Sequence, residues 1–101
     1  MNSPQPPASR DFVVVGLKPE MNYVVACMTL FNAGMGQVMV RARGRHISKT
    51  VDIINMLRSV FLKDLVVDGI EIGTDTHLSP EGKELFVSTI EIRISKSPAD
   101  D

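Results

Sequence analysis

The sequence predicts an α/β domain of the α+β type: a two-layer sandwich in the order β-α-β-α-β-β, with a mixed four-stranded sheet and both helices on one side. Three observations predict this architecture. Two short strand-like segments each precede a helical segment, and the last third of the chain holds two long alternating segments joined by a turn. The 101-residue chain is 44% hydrophobic, which suits one domain with a single core. We expect that domain to span residues 11–97, between a flexible N-terminal tail at 1–10 and a C-terminal tail at 98–101.

The first strand and the first helix are predicted within residues 11–34. The segment "DFVVVG" is a β-branched run closed by Gly16, as expected of a strand. In the segment that follows, Pro19 stands as a first helical residue and Glu20 lies in the first turn, while Gly34 stands where a helix ends in a left-handed residue. This helix is apolar on most sides, so we predict that it is largely buried.

The second strand and the second helix are separated by Gly44. Along "QVMVRAR" the side chains alternate between a core face and a second face that is basic at its C-terminal end. The core face holds Val38, Val40 and Ala42, and the other face holds Met39, Arg41 and Arg43. After Gly44, "HISKTVDIINMLRSVF" repeats apolar residues at the spacing of an amphipathic helix. The predicted buried stripe is Ile47, Val51, Ile54, Leu57 or Arg58, and Phe61.

A long hairpin is predicted for the last third of the chain. Between its two alternating segments, "SPEG" at 79–82 has the chemistry of a type I turn, with Ser first, Pro second and Gly fourth. One face of the first segment carries Ile70, Ile72, Thr74 and Thr76, and the second segment carries Ile90, Ile92 and Ile94 on one face and Glu91 and Arg93 on the other. Because these strands are longer than the first two can cover, their distal part should project as an arm of roughly 20–30 Å.

Composition excludes several functional classes. No apolar run approaches the length of a transmembrane helix, and the N-terminus does not resemble a secretory signal, so no membrane partner is expected. The single cysteine, Cys27, lies in an apolar segment and is expected to be a buried structural thiol, consistent with an intracellular location. His46 and His77 do not have the spacing of metal ligands, and no phosphate-binding glycine loop is present. We therefore predict no enzyme, metal, cofactor or small-molecule substrate.

The segment "VRARGRHISK" at residues 40–49 is the strongest candidate site. The net charge of −1 conceals an asymmetry: six basic and two acidic residues give +4 through residue 49, and five basic and ten acidic residues give −5 beyond it. Arginine side chains suit phosphate oxygens, and the amides of a helix N-terminus favour anions. Lys49 lies in the first helical turn, where a cation is disfavoured by the helix dipole, and this favours a bound anion. Composition alone leaves two interpretations open, a phosphate-binding surface and a solvated strand end.

Three segments in register, "KPEMNYVVACMTLFNAG", "VRARGRHISKTVD" and "VSTIEIRISK", closely resemble the Alba family of small archaeal chromatin proteins. The resemblance extends from about Asp11 to Lys96. It implies the Alba fold and a homodimer that binds double-stranded DNA, and often RNA, without sequence specificity. The nucleic-acid-binding positions that it implies are Lys18, Asn22, Tyr23, Arg41, Arg43, Arg45 and Lys49. Phe61 matches an aromatic residue used where Alba dimers meet on DNA, although simple core packing is an equal alternative.

Two positions depart from the family pattern. Leu17 replaces the first of two consecutive lysines before the proline, which is the lysine subject to regulatory acetylation in other members. Phe86 replaces an arginine of the hairpin arm, and the arm from residue 70 to 95 carries five acids against Lys83 and Arg93. Charge therefore opposes docking of the arm in a minor groove, unless the arm is mobile or Phe86 inserts as an apolar wedge.

The sequence thus predicts a cytoplasmic, chromosome-associated protein that packages archaeal chromatin as a homodimer bound to DNA and RNA. Two alternatives remain open at this point. The first is a protein that binds structured RNA. The second is a weakly binding architectural partner that forms a heterodimer with a more basic Alba paralogue.

Overall fold

The computed structural model describes residues 12–97, so the tails predicted at 1–10 and 98–101 lie outside the described residues. The predicted order of elements is confirmed. A 3-10 turn, Gly44–His46, joins the second strand to the second helix, and a π-helical turn, Leu57–Phe61, extends that helix. The strands and helices are β1 (Phe12–Val14), α1 (Glu20–Asn32), β2 (Gln37–Arg43), α2 (Ile47–Met56), β3 (Leu65–Leu78) and β4 (Glu84–Lys96).

The four strands form one mixed sheet in the order β1-β2-β4-β3. β1 pairs with β2 in parallel, while β4 is antiparallel to both β2 and β3. Both helices pack on one face of this sheet and enclose a single apolar core. The alternation predicted for β2 is confirmed, because its core-facing side chains Val38, Val40 and Ala42 are buried against Ile92 and Ile94 of β4. The two-layer α+β architecture predicted from the sequence is therefore confirmed.

α1 differs from its prediction in two respects. Pro19 is the N-cap rather than a first helical residue, because its ψ of 154° is extended. The helix is also only half buried: Val24 and Cys27 lie in the core, whereas Val25 is exposed. The reason is geometric, since a helix lying on one side of a two-layer sandwich contacts the sheet along a single stripe. Gly34 follows the helix with a φ of +99°, as its position after the helix predicts.

The buried stripe of α2 differs from the predicted one. Thr50, Ile53, Ile54 and Leu57 are buried, whereas Val51 is exposed. The π-helical turn accounts for the end of the stripe, because it inserts one residue per turn and closes with the amide of Leu62 donating to the carbonyl of Leu57. Leu62, rather than Phe61, consequently packs against the core, and Phe61 is 40% exposed.

The hairpin of β3 and β4 projects beyond the rest of the sheet. β2 pairs with β4 as far as Arg43 and Thr89, and five further residue pairs extend the hairpin alone, from Thr74 with Ser88 to Leu78 with Glu84. These pairs span about 17 Å before the turn, so the arm is shorter than the predicted 20–30 Å, because β2 covers β4 as far as Thr89. The turn closes as predicted, with the amide of Gly82 donating to the carbonyl of Ser79 at 2.9 Å.

A β-bulge interrupts β3 between Val67 and Gly69, so that Asp68 has no partner in β4. The extra residue shifts the alternation by one position. As a result Leu65 and Val67 before the bulge, and Ile70 and Ile72 after it, all lie on the helix side of the sheet. The first two pack in the core, and the last two are exposed. Among residues 12–97, no helix is long and apolar enough to cross a membrane.

Candidate nucleic-acid interface

The predicted basic residues converge at one end of the sheet. We call this surface the cationic edge, and its residues are Lys18, Arg41, Arg43, Arg45 and Lys49. Because β1 and β2 are parallel, their carboxyl ends meet there, and the amide of Val15 donates to the carbonyl of Arg41 at 2.8 Å. The loop after β1 carries Lys18, and the turn after β2 carries Arg45. α2 begins at the same place and contributes Lys49 from its first turn. The topology therefore brings together cations that are up to 31 residues apart in the sequence.

Arg41 lies on the face of the sheet opposite the helices, as predicted, but its charge is already paired. Its Nε donates to Glu91 Oε1 at 2.7 Å, and Glu91 stands directly opposite Arg41 in the register of β2 and β4. The guanidinium also lies 3.6 Å from the centre of the Phe12 ring, a cation–π contact. Half of the Arg41 side chain remains exposed, so it is accessible to a second anion.

Arg43 pairs with a carboxylate two strands away. Its Nε lies 3.4 Å from Asp75 Oδ2 of β3, so the ion pair spans the intervening strand β4. Gly73 stands directly opposite Thr89, and a Cβ at Gly73 would lie only 3.1 Å from Thr89 Oγ1. These residues line an open depression of about 480 Å³ on the outer face. The ion pair thus links the end of β2 to the base of the projecting arm.

The outer face of the sheet is balanced in charge rather than basic. Arg93 lies between two carboxylates, with Nη1 3.7 Å from Glu71 and 3.9 Å from Glu91. At the other end of this face the pKa of Asp68 is lowered, first by a hydrogen bond with Ser95 and then by one with Gln37. The ion-paired residues of this face are Arg41, Arg43, Arg93, Glu71, Asp75 and Glu91. Their charges cancel, so the excess positive charge of the edge belongs to the turn and the loop.

The turn that follows β2 exposes Arg45. Gly44 has a φ of +55°, in the left-handed region, and this lets the strand pass directly into the 3-10 turn and α2. Arg45 is exposed and makes no ion pair with any residue in the range 12–97. Arg41 and Arg43 pair with carboxylates, and Lys49 donates to backbone carbonyls. Arg45 has neither kind of partner in the described range.

Lys49 and Tyr23 fix the loop that carries Lys18. The Lys49 ammonium donates to the carbonyls of Gly16, at 2.7 Å, and Lys18, at 2.5 Å. The Tyr23 hydroxyl accepts the amides of the same two residues, at 2.9 and 3.1 Å. Lys49 also lies 5.5 Å from the centre of the Tyr23 ring. The structure thus explains a cation in this helical turn without a bound anion, because backbone carbonyls stabilise it.

Lys18 itself remains free to bind. Its side chain is exposed and has no carboxylate partner within the part of the chain that the structure describes. Asn22 is exposed in the first turn of α1, and its backbone amide donates to the carbonyl of Pro19. Lys18, Asn22 and Tyr23 border an open groove of about 500 Å³ beside Phe12. The predicted loop residues are therefore neighbours, as the interpretation of a binding loop requires.

The remaining predicted residues lie away from this edge. Phe86 on the arm is 67% exposed, and Lys83 is exposed beside the turn of the hairpin. Phe61 is partly exposed at the end of the π-helical turn, so its side chain does not simply fill the core. The arm contact predicted for the first two, and the dimer–dimer contact predicted for Phe61, stay predictions.

Cys27 does not contribute to this interface. It is buried in the core, as predicted, and burial raises the pKa of its thiol to about 12. Within residues 12–97, no group of three or more histidine, cysteine, aspartate or glutamate residues is arranged to hold a metal ion.

Sequence reasoning misses the role of the two carboxylates that pair with the β2 arginines, Glu91 and Asp75. Their partners depend on the order and register of three neighbouring strands. The alternation of "TIEIRI" against "VMVRAR" offers a partial signal, because it places Glu91 on the same face as Arg41 once the strands are taken as neighbours.

Comparisons with known proteins agree on one family. The Alba family model matches residues 11–74. A DNA/RNA-binding protein Alba from Methanothrix thermoacetophila is 49% identical over 89 residues, covering 88% of this chain and 99% of the relative. Another protein of that name, from Methanocella arvoryzae, is 44% identical and covers 86% of this chain and 91% of the relative.

Solved structures show the same fold. Alba from Thermoplasma volcanium superimposes with a TM-score of 0.79 at 39% identity, covering 84% of this chain and 99% of that one. ALBA1 from Trypanosoma brucei superimposes with a TM-score of 0.73 at 26% identity, covering 88% of this chain and 71% of that one. With the family model matching more than half of the sequence and close relatives matching nearly all of it, this chain belongs to the Alba family.

Proposed function

We propose that this protein binds nucleic acid without sequence specificity and packages archaeal chromatin as a dimer. Its ligand is double-stranded DNA, and RNA as well, and it acts in the cytoplasm on the chromosome. The observation that carries this proposal is the convergence of exposed cations at one sheet edge, with Arg45 and Lys18 free of carboxylate partners among residues 12–97. The names of the curated relatives support it, because both are DNA/RNA-binding proteins. The prediction that the chain is not an enzyme agrees with its family.

The expected mode of binding is contact with phosphate. Lysine and arginine side chains neutralise backbone phosphates and release counterions, which makes the affinity fall as salt rises. Such contacts position a protein on the duplex but read no base sequence. Lys18 and Arg45 are long, exposed and carried by short connections between rigid elements, so they can approach a phosphate backbone. This chemistry supports binding that is indifferent to sequence.

A dimer is supported by an unpaired apolar edge. β3 is fourteen residues long and lies at the edge of the sheet, so one side of its backbone has no partner within the described chain. Ile70 and Ile72 are exposed on it, Ile72 to 82%. Ile72 lines a groove with Ile47, and Val51 is exposed one turn further along α2. Long edge strands with exposed apolar residues are templates for association, and two-fold symmetry would present two copies of the cationic edge.

The slope of affinity against salt tests phosphate binding. We would measure the anisotropy of a labelled 30-base-pair duplex of mixed sequence at several salt concentrations. Removing one phosphate contact lowers the magnitude of the log–log slope by about one. We therefore expect Arg45→Ala to lower the slope and weaken binding. The matched control is Lys96→Ala, which removes an exposed cation at the opposite end of β4.

Two results would contradict the proposal. One is wild-type protein that does not bind the duplex even at low salt. The other is an Arg45→Ala variant whose slope and affinity equal those of Lys96→Ala, because the cationic edge would then not be the binding surface.

Structured RNA is the second candidate ligand, and the names of the relatives favour its inclusion. Competition between a duplex DNA and a structured RNA hairpin of equal length, at matched salt, distinguishes the two. Comparable affinities are expected of a protein that binds both. A preference for RNA of tenfold or more would replace the chromatin function with an RNA-binding one.

A heterodimer with a more basic paralogue is the third candidate. It is supported by Leu17 and Phe86, which stand where other members have basic residues, and by the carboxylates that pair with Arg41 and Arg43. The purified homodimer should then bind duplex DNA much more weakly than a basic family member does. Equal affinity at physiological salt would rule this candidate out.

A further inference from the structure

Two arginines of the cationic edge already hold carboxylates where phosphates would bind. Glu91 accepts from Arg41 Nε at 2.7 Å, and Asp75 lies 3.4 Å from Arg43 Nε. Carboxylate and phosphate oxygens bind the same guanidinium donors, so an incoming phosphate must displace these groups or share the arginine with them. We propose that Glu91 and Asp75 are internal competitors that set the affinity of the protein for nucleic acid and its dependence on salt. This inference rests on the proposed function of the same edge.

Glu91 is arranged so that it can be displaced. It lies between two arginines, 2.7 Å from Arg41 on β2 and 3.9 Å from Arg93 on its own strand. When a phosphate takes Arg41, Glu91 retains Arg93 as a partner and is not left unpaired. Glu71 stands directly opposite Glu91 and shares Arg93, so repulsion between the two carboxylates limits the benefit of that exchange. The Arg41–Glu91 ion pair is therefore a moderate barrier to phosphate binding and not a permanent block.

Asp75 is a competitor of another kind, because it belongs to the projecting arm. Both Asp75 and Arg43 are about half exposed, and Asp75 has no second cation within ion-pair distance among residues 12–97. A phosphate that takes Arg43 therefore releases Asp75 into solvent and removes the side-chain link between the arm and the end of β2. Binding at the edge and release of the arm are thus coupled through one ion pair.

Ion release gives this competition a distinctive signature. An arginine with no carboxylate partner gains a phosphate and frees the counterion of that phosphate. An arginine that first leaves a carboxylate neutralises the same phosphate, but a carboxylate released beside the duplex opposes the release of cations from it. Replacing a carboxylate partner by a phosphate therefore contributes little to the slope of log affinity against log salt concentration. Removing a carboxylate that is released without another partner, as Asp75 is, should steepen the slope by about one, whereas removing an acid that pairs with no arginine should leave it unchanged.

The experiment compares Glu91→Gln with Glu84→Gln. Both variants lose one negative charge from β4, but Glu84 makes no ion pair in the described part of the chain. With the labelled 30-base-pair duplex, we expect Glu91→Gln to bind about two- to fivefold more tightly than Glu84→Gln, with little change in slope because the displaced Glu91 keeps Arg93 as a partner. Asp75→Asn should tighten binding by a similar factor and also steepen the slope by about one, because Asp75 is released without a second partner among residues 12–97. Glutamine and asparagine keep the size of the side chain, and unchanged melting temperatures would confirm that the variants fold.

A second comparison locates the effect on Arg41. In an Arg41→Gln background, Glu91→Gln should tighten binding no more than Glu84→Gln does, because the arginine that it would free is absent. If Glu91→Gln matches Glu84→Gln in affinity, or keeps its advantage without Arg41, the competition is refuted. Wild-type protein that binds in these experiments keeps the proposed function intact in either case. Wild-type and variant proteins that all fail to bind would instead refute the proposed function itself.

Discussion

Lys49 shows how a predicted phosphate ligand can be a structural residue. Its ammonium carries three donor hydrogens, and the carbonyls of Gly16 and Lys18 accept two of them. The Tyr23 hydroxyl accepts hydrogen bonds from the backbone amides of the same residues. Two side chains from different helices therefore bind both the amides and the carbonyls of Gly16 and Lys18. We infer that Lys49 positions Lys18 for binding and does not itself carry most of the contact.

Replacing Lys49 separates these two roles. Lys49→Met keeps the aliphatic stem and removes both charge-assisted hydrogen bonds, so the free energy of unfolding should fall by about 1.5–3 kcal/mol. Hydrogen exchange should become faster at the amides of Gly16 and Lys18, since the loop loses its anchor. Chemical denaturation and exchange measured by NMR test both effects. Arg45→Met is the matched control, because it removes an exposed cation without partners among residues 12–97 and should leave stability within about 0.5 kcal/mol.

The opposite pattern would contradict the positioning role. If Lys49→Met leaves exchange at the loop unchanged and lowers the salt slope by one, Lys49 is a direct phosphate ligand, as the family resemblance implies.

At the scale of elements, the junction from β2 to α2 depends on Gly44. Its φ of +55° lies in the left-handed region, which β-carbon sterics disfavour for most residues. A Cβ at this position would lie 3.5 Å from Val87 Cγ1, an ordinary contact, so the strain of a substitution arises from the backbone alone. Gly44 therefore sets the direction in which Arg45 leaves the strand.

Substitution of Gly44 tests that origin of strain. Gly44→Ala should lower the free energy of unfolding by about 1–2 kcal/mol, and Gly44→Asn by clearly less, because asparagine tolerates the left-handed region. Gly36→Ala is the control, since a Cβ there meets no atom within 4 Å and the φ of Gly36 is not positive. Urea unfolding of the three variants gives the comparison. Equal losses for Ala and Asn at position 44 would show that crowding, not backbone conformation, determines the effect.

The order of strands and helices was predictable from the sequence, but which residues of each element face the core was less so. Alternation in "QVMVRAR" and the turn chemistry of "SPEG" are local signals, and both predictions are confirmed. The buried face of α2 depends on a π-helical turn whose single extra residue exchanges Phe61 for Leu62 at the core. A spacing of apolar residues fitted to 3.6 residues per turn does not anticipate such a turn.

At the scale of the whole molecule, charge asymmetry was visible in the sequence, while charge pairing was not. The basic first half and acidic second half of the chain meet because β4 lies between β2 and β3. That strand order places Glu91 beside Arg41 and brings Asp75 within reach of Arg43. The positions of the cations in the sequence therefore overstate the positive charge available on the folded surface. Only their partners in space show that, within residues 12–97, Arg45 and Lys18 are the members of this group that face neither a carboxylate nor a backbone carbonyl.

The proposed dimer is likewise a property of the whole molecule, and the exposed edge of β3 provides its test. Ile72→Glu places a charge at the most exposed apolar residue of that edge, and burying an unpaired carboxylate in an interface is strongly unfavourable. Light scattering after size exclusion should give twice the chain mass of 11.1 kDa for the wild type and the chain mass for the variant. Val25→Glu, an exposed apolar position on α1, is the matched control and should remain dimeric.

Loss of the dimer should also weaken binding to the duplex. Two cationic edges held by one dimer engage the same DNA, so the second contact benefits from a high effective concentration. Without that linkage we expect the affinity of Ile72→Glu to fall by about tenfold or more, while Val25→Glu binds as the wild type does. A monomeric wild type would refute the dimer, and an Ile72→Glu variant that stays dimeric would move the interface to another surface. A monomeric variant with undiminished affinity would show that a single edge is sufficient, because the contribution of the second would then be absent.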